Sequence, residues 1–284
     1  MMPLLVTFLL LLAPGADSYL QEIATWRADR EARLQTDTGW LTVVGLHWLE
    51  PGPNSVGSSP TAAVGLPAPA PAAVGTITLQ GTTAEFVAAK GVRVTSKGRP
   101  VQRLTLDANT PLELGSLTFF VIERASRIGV RVRDRNAETR RNFRGLRWYD
   151  ADPRWRVRAR LEPPSPGRKV TIGTIVGDQI DLESAGELVF TVNGREVRLE
   201  GVYETPERDE LFVMFKDGTN GDATYGAGRY MYPPLPVNGI VDLDFNKAYN
   251  PPCAYTAFAT CPLPPRQNWL PVAIEAGEKS YEAH

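Results

Sequence analysis

Through most of the chain the apolar positions recur at every second residue, in short runs cut off by Gly, Pro, Asn and Asp. This two-residue period predicts strands. It marks Thr76–Leu79, Glu85–Val87, Val92–Thr95, Leu117–Glu123, Gly129–Arg133, Trp155–Leu161, Val170–Ile175, Gln179–Leu182, Glu187–Val192, Arg195–Glu200, Leu211–Phe215 and Ile240–Asn246. Trp40–Leu49 is β-branched and aromatic and reads as a further strand, with Gly45 as a bulge, followed by a turn at Glu50–Asn54. A single stretch has the helical period: Tyr19 to Leu34, with Leu20, Ile23, Ala24 and Leu34 apolar and the charged run Arg27–Arg33 read as a solvated face. That helix stops near Gly39. Ser58 to Gly75 is proline-rich loop. The pattern predicts a mainly β protein, an antiparallel sandwich or barrel with a short N-terminal helix. No internal repeat is visible.

The first residues do not fit this scheme. Leu4–Leu12 is an apolar run too short to span a bilayer, followed by the small-residue tract Ala16-Asp17-Ser18, so residues 1–18 read as a signal peptide cut before Tyr19. Residues 19–284 then form a single β-rich domain, with the Glu162–Gly167 proline stretch as a candidate subdomain break. Export to the periplasm or medium is the expectation, with no transmembrane span. Cys253 and Cys261 are the only cysteines, and in an oxidising compartment a disulfide between them is the first reading. With only His47 and His284 as histidines, a Cys/His metal site lacks ligands, and no metal or cofactor is expected.

Removing residues 1–18 leaves 31 basic and 31 acidic residues, so long-range attraction to nucleic acid is not indicated. The charge is unevenly placed all the same. Residues 123–160 hold thirteen arginines against five acids. In Arg154–Leu161 arginine alternates with Trp155, Val157, Ala159 and Leu161. Guanidinium groups in such an array suit phosphate, carboxylate or an acidic glycan. The competing reading is a polar outer sheet face neutralised by acids from elsewhere.

Candidate chemistry concentrates near the C-terminus. In Ile240–Asn246 alternation sends Val241, Leu243 and Phe245 to one face and Asp242, Asp244 and Asn246 to the other. These short polar groups suit fixed hydrogen bonds, a ligand, or calcium, although interleaved Leu243 and Phe245 argue against a calcium loop. Upstream, Leu211–Phe215 reads as buried strand leading into the polar loop Lys216–Asp222, then Thr224-Tyr225-Gly226-Ala227-Gly228-Arg229-Tyr230, where Arg229 can fork onto Asp217 or Asp244.

Three blocks, Gly39–Leu49, Thr224–Tyr230 and Leu243–Cys253 with Cys261–Pro265 and Ala276–Lys279, resemble the signature of the domain of unknown function 1684 family. The resemblance implies that His47, Tyr225, Arg229, Asp244, Asn246, Tyr249, Asn250 and Cys253 belong to that signature, and it assigns them no roles.

An enzyme needs an acid/base group, and His47 paired with Asp217 or Asp244 is the candidate. Free thiols would allow a Cys253–His47 dyad instead. Tyr225, Tyr230, Tyr232, Tyr249, Tyr255 and Trp269 offer ring faces to a ligand, with Arg229, Asn246 and Asn250 orienting it. The expected function is recognition of a small polar or anionic ligand, with a hydrolytic acid/base step at His47, Asp217 and Asp244. The alternatives are a non-catalytic carbohydrate or small-molecule binding module and a purely structural domain.

Overall fold

The computed structural model describes residues 14–281. The proposed signal run Leu4–Leu12 lies outside the described residues.

The helix spans Pro14–Gln35, longer than the periodicity predicts. Glu, Gln, Arg, Ala and Leu favour the helical state, and Asp17 in the first turn with Arg33 in the last complement its dipole. Its inward stripe runs Tyr19, Ile23, Arg27, Arg30, Leu34, at spacings of three and four residues. Three charges of the run expected to be solvated are therefore turned inward. Arg27 donates to Tyr149 O at 3.0 Å. Arg30 reaches Asn250 O at 2.9 Å, and Glu31 accepts from Leu146 N at 3.0 Å. Partners inside the fold supply what water would have supplied.

Two large hydrophobic cores and two smaller clusters fill the interior, and Leu34 of the helix belongs to one of the smaller ones. The N-terminal large core lies between two sheets packed face to face. The first, in spatial order, is Val43–Trp48, Arg127–Asp134, Leu117–Arg124, Leu112–Leu114, Val94–Ser96 and Arg99–Val101. The second is Val64–Gly65, Gly52–Gly57, Gly75–Gln80, Thr83–Ala88 and Arg103–Leu106. Val130, Val132, Phe119, Phe86 and Ile77 meet between them. The expected turn at Glu50–Asn54 is shorter than predicted. Asn54 binds Glu50 N and O at 3.0 and 2.8 Å, which folds the chain back tightly enough for a strand to begin at Gly52.

The C-terminal sheet runs Lys169–Gly173, Gln179–Val192, Arg156–Glu162 and Ile240–Asp244, with Arg195–Tyr203 also paired to the long strand. Gln179–Leu182 and Glu187–Val192, predicted as two strands, are one strand of 14 residues. The break in their pattern is a bulge at Ser184–Gly186. There Gly186 adopts φ +118° with its backbone against Glu162 O, where a Cβ would lie 2.3 Å from that oxygen. The long strand pairs with one neighbour before the bulge and another after it. Glu162–Gly167 joins two strands of this same sheet. The hairpin pair Val213–Phe215 and Arg229–Met231 closes the second core. Neither region forms a closed barrel, and almost all strand pairs are antiparallel.

Candidate functional site

Alternation on one strand pair decides what faces what. In Arg127–Asp134, Val130 and Val132 point into the N-terminal core. Gly129, Arg131 and Arg133 therefore point the other way, toward the C-terminal half. Their cross-strand partners share that face: Phe120 opposite Arg131, Ile122 opposite Gly129, and Leu46 and Trp48 on the adjacent strand. His47 pairs with Val130 and so belongs to the sandwich side.

Where that arginine face meets the helix and the C-terminal sheet, a cavity of about 480 Å³ opens. Arg30, Trp40, Arg124, Thr260 and Cys261 line one part and Tyr230, Tyr232 and Tyr249 another, with Ile180, Leu182 and Glu204 beside them. The tyrosine wall is rigid. Tyr232 stacks on Tyr249, centroids 6.4 Å apart, and on Phe212 at 4.8 Å. The Tyr232 hydroxyl donates to Glu204 and the Tyr230 hydroxyl to Pro262 O. Burial pushes all three phenols well above their ordinary range, so they are neutral donors.

Arg30 lies over the Tyr249 ring at 4.3 Å and faces Glu278 at 3.6 Å. Glu278 is fully buried and accepts from Asn250 N at 3.2 Å, Asn250 Nδ2 at 2.8 Å and the Tyr255 hydroxyl. Arg124 donates to Thr260 Oγ1 at 3.0 Å and to Glu123 O at 2.7 Å. Behind Thr260 sits Arg131, buried, with its guanidinium 4.9 Å over Trp40. Among the described residues no carboxylate reaches Arg124, Arg131 or Arg133 within ion-pair distance. Desolvation, and then the charges of Arg124 and Arg133, pull the Arg131 pKa down to about 10.

The residues predicted for catalysis and binding are spread over several places. Arg229 is wholly buried, with Asp217 Oδ2 at 2.7 Å, Ile274 O at 2.9 Å and Ala276 O as its partners. Asp217 Oδ1 accepts from Thr219 N, Thr219 Oγ1 and Ile274 N. Of the two partners predicted for Arg229, Asp217 is the one it takes. Asp244 ends its strand and caps the turn Phe245–Lys247, its Oδ1 accepting from Tyr19 OH at 2.9 Å and from Asn246 N and Nδ2 at 3.1 Å each. It opens onto a smaller cavity with Glu22, Arg156 and Lys247. Asn246 also spans Asp152 N and O, which makes it a strut between loops. Asp242 is turned to Arg156 at 3.3 Å. His47 packs against Gly65 and Gly45. The structure thus does not bring His47, Arg229 and Asp244 into one cavity. Of the predicted binding residues Tyr249 lines the main cavity, Asn250 lies behind it on Glu278, and Tyr225 donates to Cys253 O at 3.0 Å.

The disulfide expectation is corrected: Cys253 and Cys261 are free thiols. Cys253 is the middle residue of a tight turn at Pro252–Ala254 that aims its backbone N–H at Cys261 Sγ, 3.2 Å away, so the sulfur is held as a hydrogen-bond acceptor. Sequence reasoning passed over Arg30, Trp40, Glu204 and Thr260, although the excess of arginine over residues 123–160, Arg124 and Arg131 among them, was visible.

The sequence model of a family described as "Protein of unknown function (DUF1684)" matches residues 141–279. A solution NMR structure of an uncharacterized protein from Haloarcula marismortui is 35% identical, covering 50% of this chain and 80% of that one, with a TM-score of 0.42. The crystal structure of the FhaA FHA domain, complexed with an intracellular domain, is 20% identical over 31% of this chain and 97% of its own, at a TM-score of 0.24. A second structure, from work on phosphothreonine-dependent FHA domain interactions, is 21% identical over 32% of this chain and 96% of its own, also at 0.24. No curated protein matches.

Proposed function

Since this chain belongs to the DUF1684 family of proteins of unknown function, its own geometry has to carry the reading, and we propose that it binds a small organic anion in the 480 Å³ cavity. The observation behind this is one concave space with neutral, rigid tyrosine faces and the cationic groups Arg30 and Arg124 on its lining, where the one carboxylate, Glu204, is taken up by the Tyr232 hydroxyl. A concave, mostly apolar site with a few fixed polar groups is the usual form of a small-molecule site. The rings suit a planar or apolar body, and the guanidinium groups suit its charge.

Binding is favoured over turnover. The groups read as a hydrolytic set, His47, Asp217 and Asp244, have other neighbours, and the cavity lining carries no histidine. Export fits the same picture: a chain cut before Tyr19 keeps Tyr19, Ile23, Arg30 and Leu34, the residues by which the helix docks. Mass spectrometry of the protein from its natural host tests that point, and a mature chain beginning at Tyr19 is the expected result.

The binding claim is tested by calorimetric titration of the full chain with aromatic and aliphatic organic anions. At least one should bind, with affinity falling about tenfold or more in Tyr232→Ala, which removes a buried ring contact. Equal binding by the wild type and Tyr232→Ala would move the site elsewhere. Turnover of any bound ester that was lost in His47→Ala would restore the hydrolase reading.

A further inference from the structure

Arg131 is 4% exposed and its charge has no built-in answer. Its contacts are the Trp40 ring and one long approach, 3.5 Å, from Nη2 to Thr260 Oγ1, and its Nε has no partner. Arg133 stands two residues along on the same face, its guanidinium over Phe120 at 4.8 Å and its Nε also without a partner. Arg124 completes the group through Thr260. Taking a cation out of water costs several kcal/mol unless an anion or well-placed acceptors offset it, and like charges nearby add to that cost.

The fold answers this demand elsewhere. Buried Arg229 has Asp217 at 2.7 Å and buried Arg30 has Glu278 at 3.6 Å, and the more exposed Arg127 on the same face has Asp178 at 2.5 Å. Arg124, on the cavity lining, and Arg131 and Arg133 near it are the group left without an acid. The gap is also accessible: Trp40, Arg124 and Thr260 all border the cavity, so the positive corner opens into it rather than into packed core.

We propose that this corner is the seat for a compact tetrahedral oxyanion, the phosphate group of a small organic monoester. This rests on the reading of the cavity as a small-molecule site and names the class of molecule. Three cations without an acid call for more than one negative charge, which a monocarboxylate does not bring. Planar guanidinium forks and the Thr260 hydroxyl supply charge-assisted donors to several oxygens at once. The tyrosine wall then holds the organic body.

Calorimetric titrations of the full chain with phenyl phosphate, phenol, inorganic phosphate, inorganic sulfate and acetate, at constant ionic strength, test this. Phenyl phosphate should bind best, inorganic phosphate and sulfate more weakly, and acetate not measurably. Arg131→Met should weaken phenyl phosphate about tenfold or more, the scale of losing charge-assisted hydrogen bonds, and leave phenol unchanged. The ligand-free Arg131→Met chain should melt no lower than the wild type, because it sheds an unpaired buried charge. Arg124→Gln, on the cavity border, should show the same selective loss and carries the test if Arg131→Met does not fold.

Equal binding of phenol and phenyl phosphate that is insensitive to both arginine variants would overturn the seat and keep the cavity. Phenol and phenyl phosphate both failing to bind would remove the small-molecule reading. Inorganic phosphate then decides the seat: binding lost in Arg124→Gln upholds it, and no phosphate binding at all ends it.

Discussion

Arg229 and Arg131 make a controlled comparison. Both are buried, at 0% and 4% exposure, and both lie about 5 Å from an aromatic ring, Phe215 in one case and Trp40 in the other. Arg229 has an acid at 2.7 Å and two carbonyls, with its Nε alone unmatched. Arg131 has a single contact at 3.5 Å and two like charges beside it. A buried cation that carries its own counter-charge is scaffold. One that lacks it is set up to take a counter-charge from outside, and here it stands next to a cavity. Residue type and burial alone would have assigned the two the same role.

The most severe test of that contrast turns Arg229 into a second Arg131. Asp217→Ala leaves a fully buried guanidinium facing only carbonyls and also frees Thr219 N and Ile274 N. It should cost about 3–5 kcal/mol in urea unfolding, the usual penalty for stranding one partner of a buried pair. A loss under about 1 kcal/mol would mean that the pair is not what holds the loop Lys216–Asp222.

The converse change is smaller. Thr260→Asp places a carboxylate beside Arg124 and Arg131, where the hydroxyl now accepts at 3.0 and 3.5 Å. It should raise the ligand-free stability by roughly 1–2 kcal/mol and abolish phosphate binding, since the seat is then filled from within. Unchanged phosphate affinity in this variant would show that the anion sits elsewhere.

Much of the fold was legible. The two-residue period in Leu117–Glu123 and Gly129–Arg133, and the prolines and glycines between runs, report directly on sheet geometry. The site was less legible, because its parts meet only through tertiary packing. Arg30 reads as one charge in a solvated run, and nothing local says that Glu278 waits for it 248 positions later. Asp244 and Asn246 carry the right chemistry for a ligand but serve the turn that ends their own strand, a use as short-range as an N-cap. The arginine alternation was informative about a charged face. Which of its members would find acids depended on strands far away in sequence.

The cysteines offer a milder check on the same boundary between scaffold and site. Cys253→Ala should lower stability by about 1 kcal/mol or less, the scale of a half-buried side chain, since the backbone N–H that reaches Cys261 Sγ survives the change. A drop of about 2–4 kcal/mol that reductant reproduces in the wild type would instead mark a closed disulfide loop.

The smallest expected effect comes from the other face of the arginine strand pair. His47 is half-buried on the sandwich side, and desolvation holds its pKa below the ordinary 6.5, opposed by a hydrogen bond at Gly65. A base whose folded pKa is depressed takes up protons in the unfolded chain first. Its contribution is therefore intact above 6.5 and is lost as the pH falls toward the folded value. Wild-type urea midpoints measured between about pH 8 and pH 5 should accordingly fall more steeply on the acid side than those of His47→Gln. Phosphate affinity should be identical in the two proteins, because a strand sends adjacent side chains to opposite faces and only the Arg131 side meets the cavity. A shift in phosphate affinity on replacing His47 would mean that the two faces communicate, and that the imidazole belongs to the site after all.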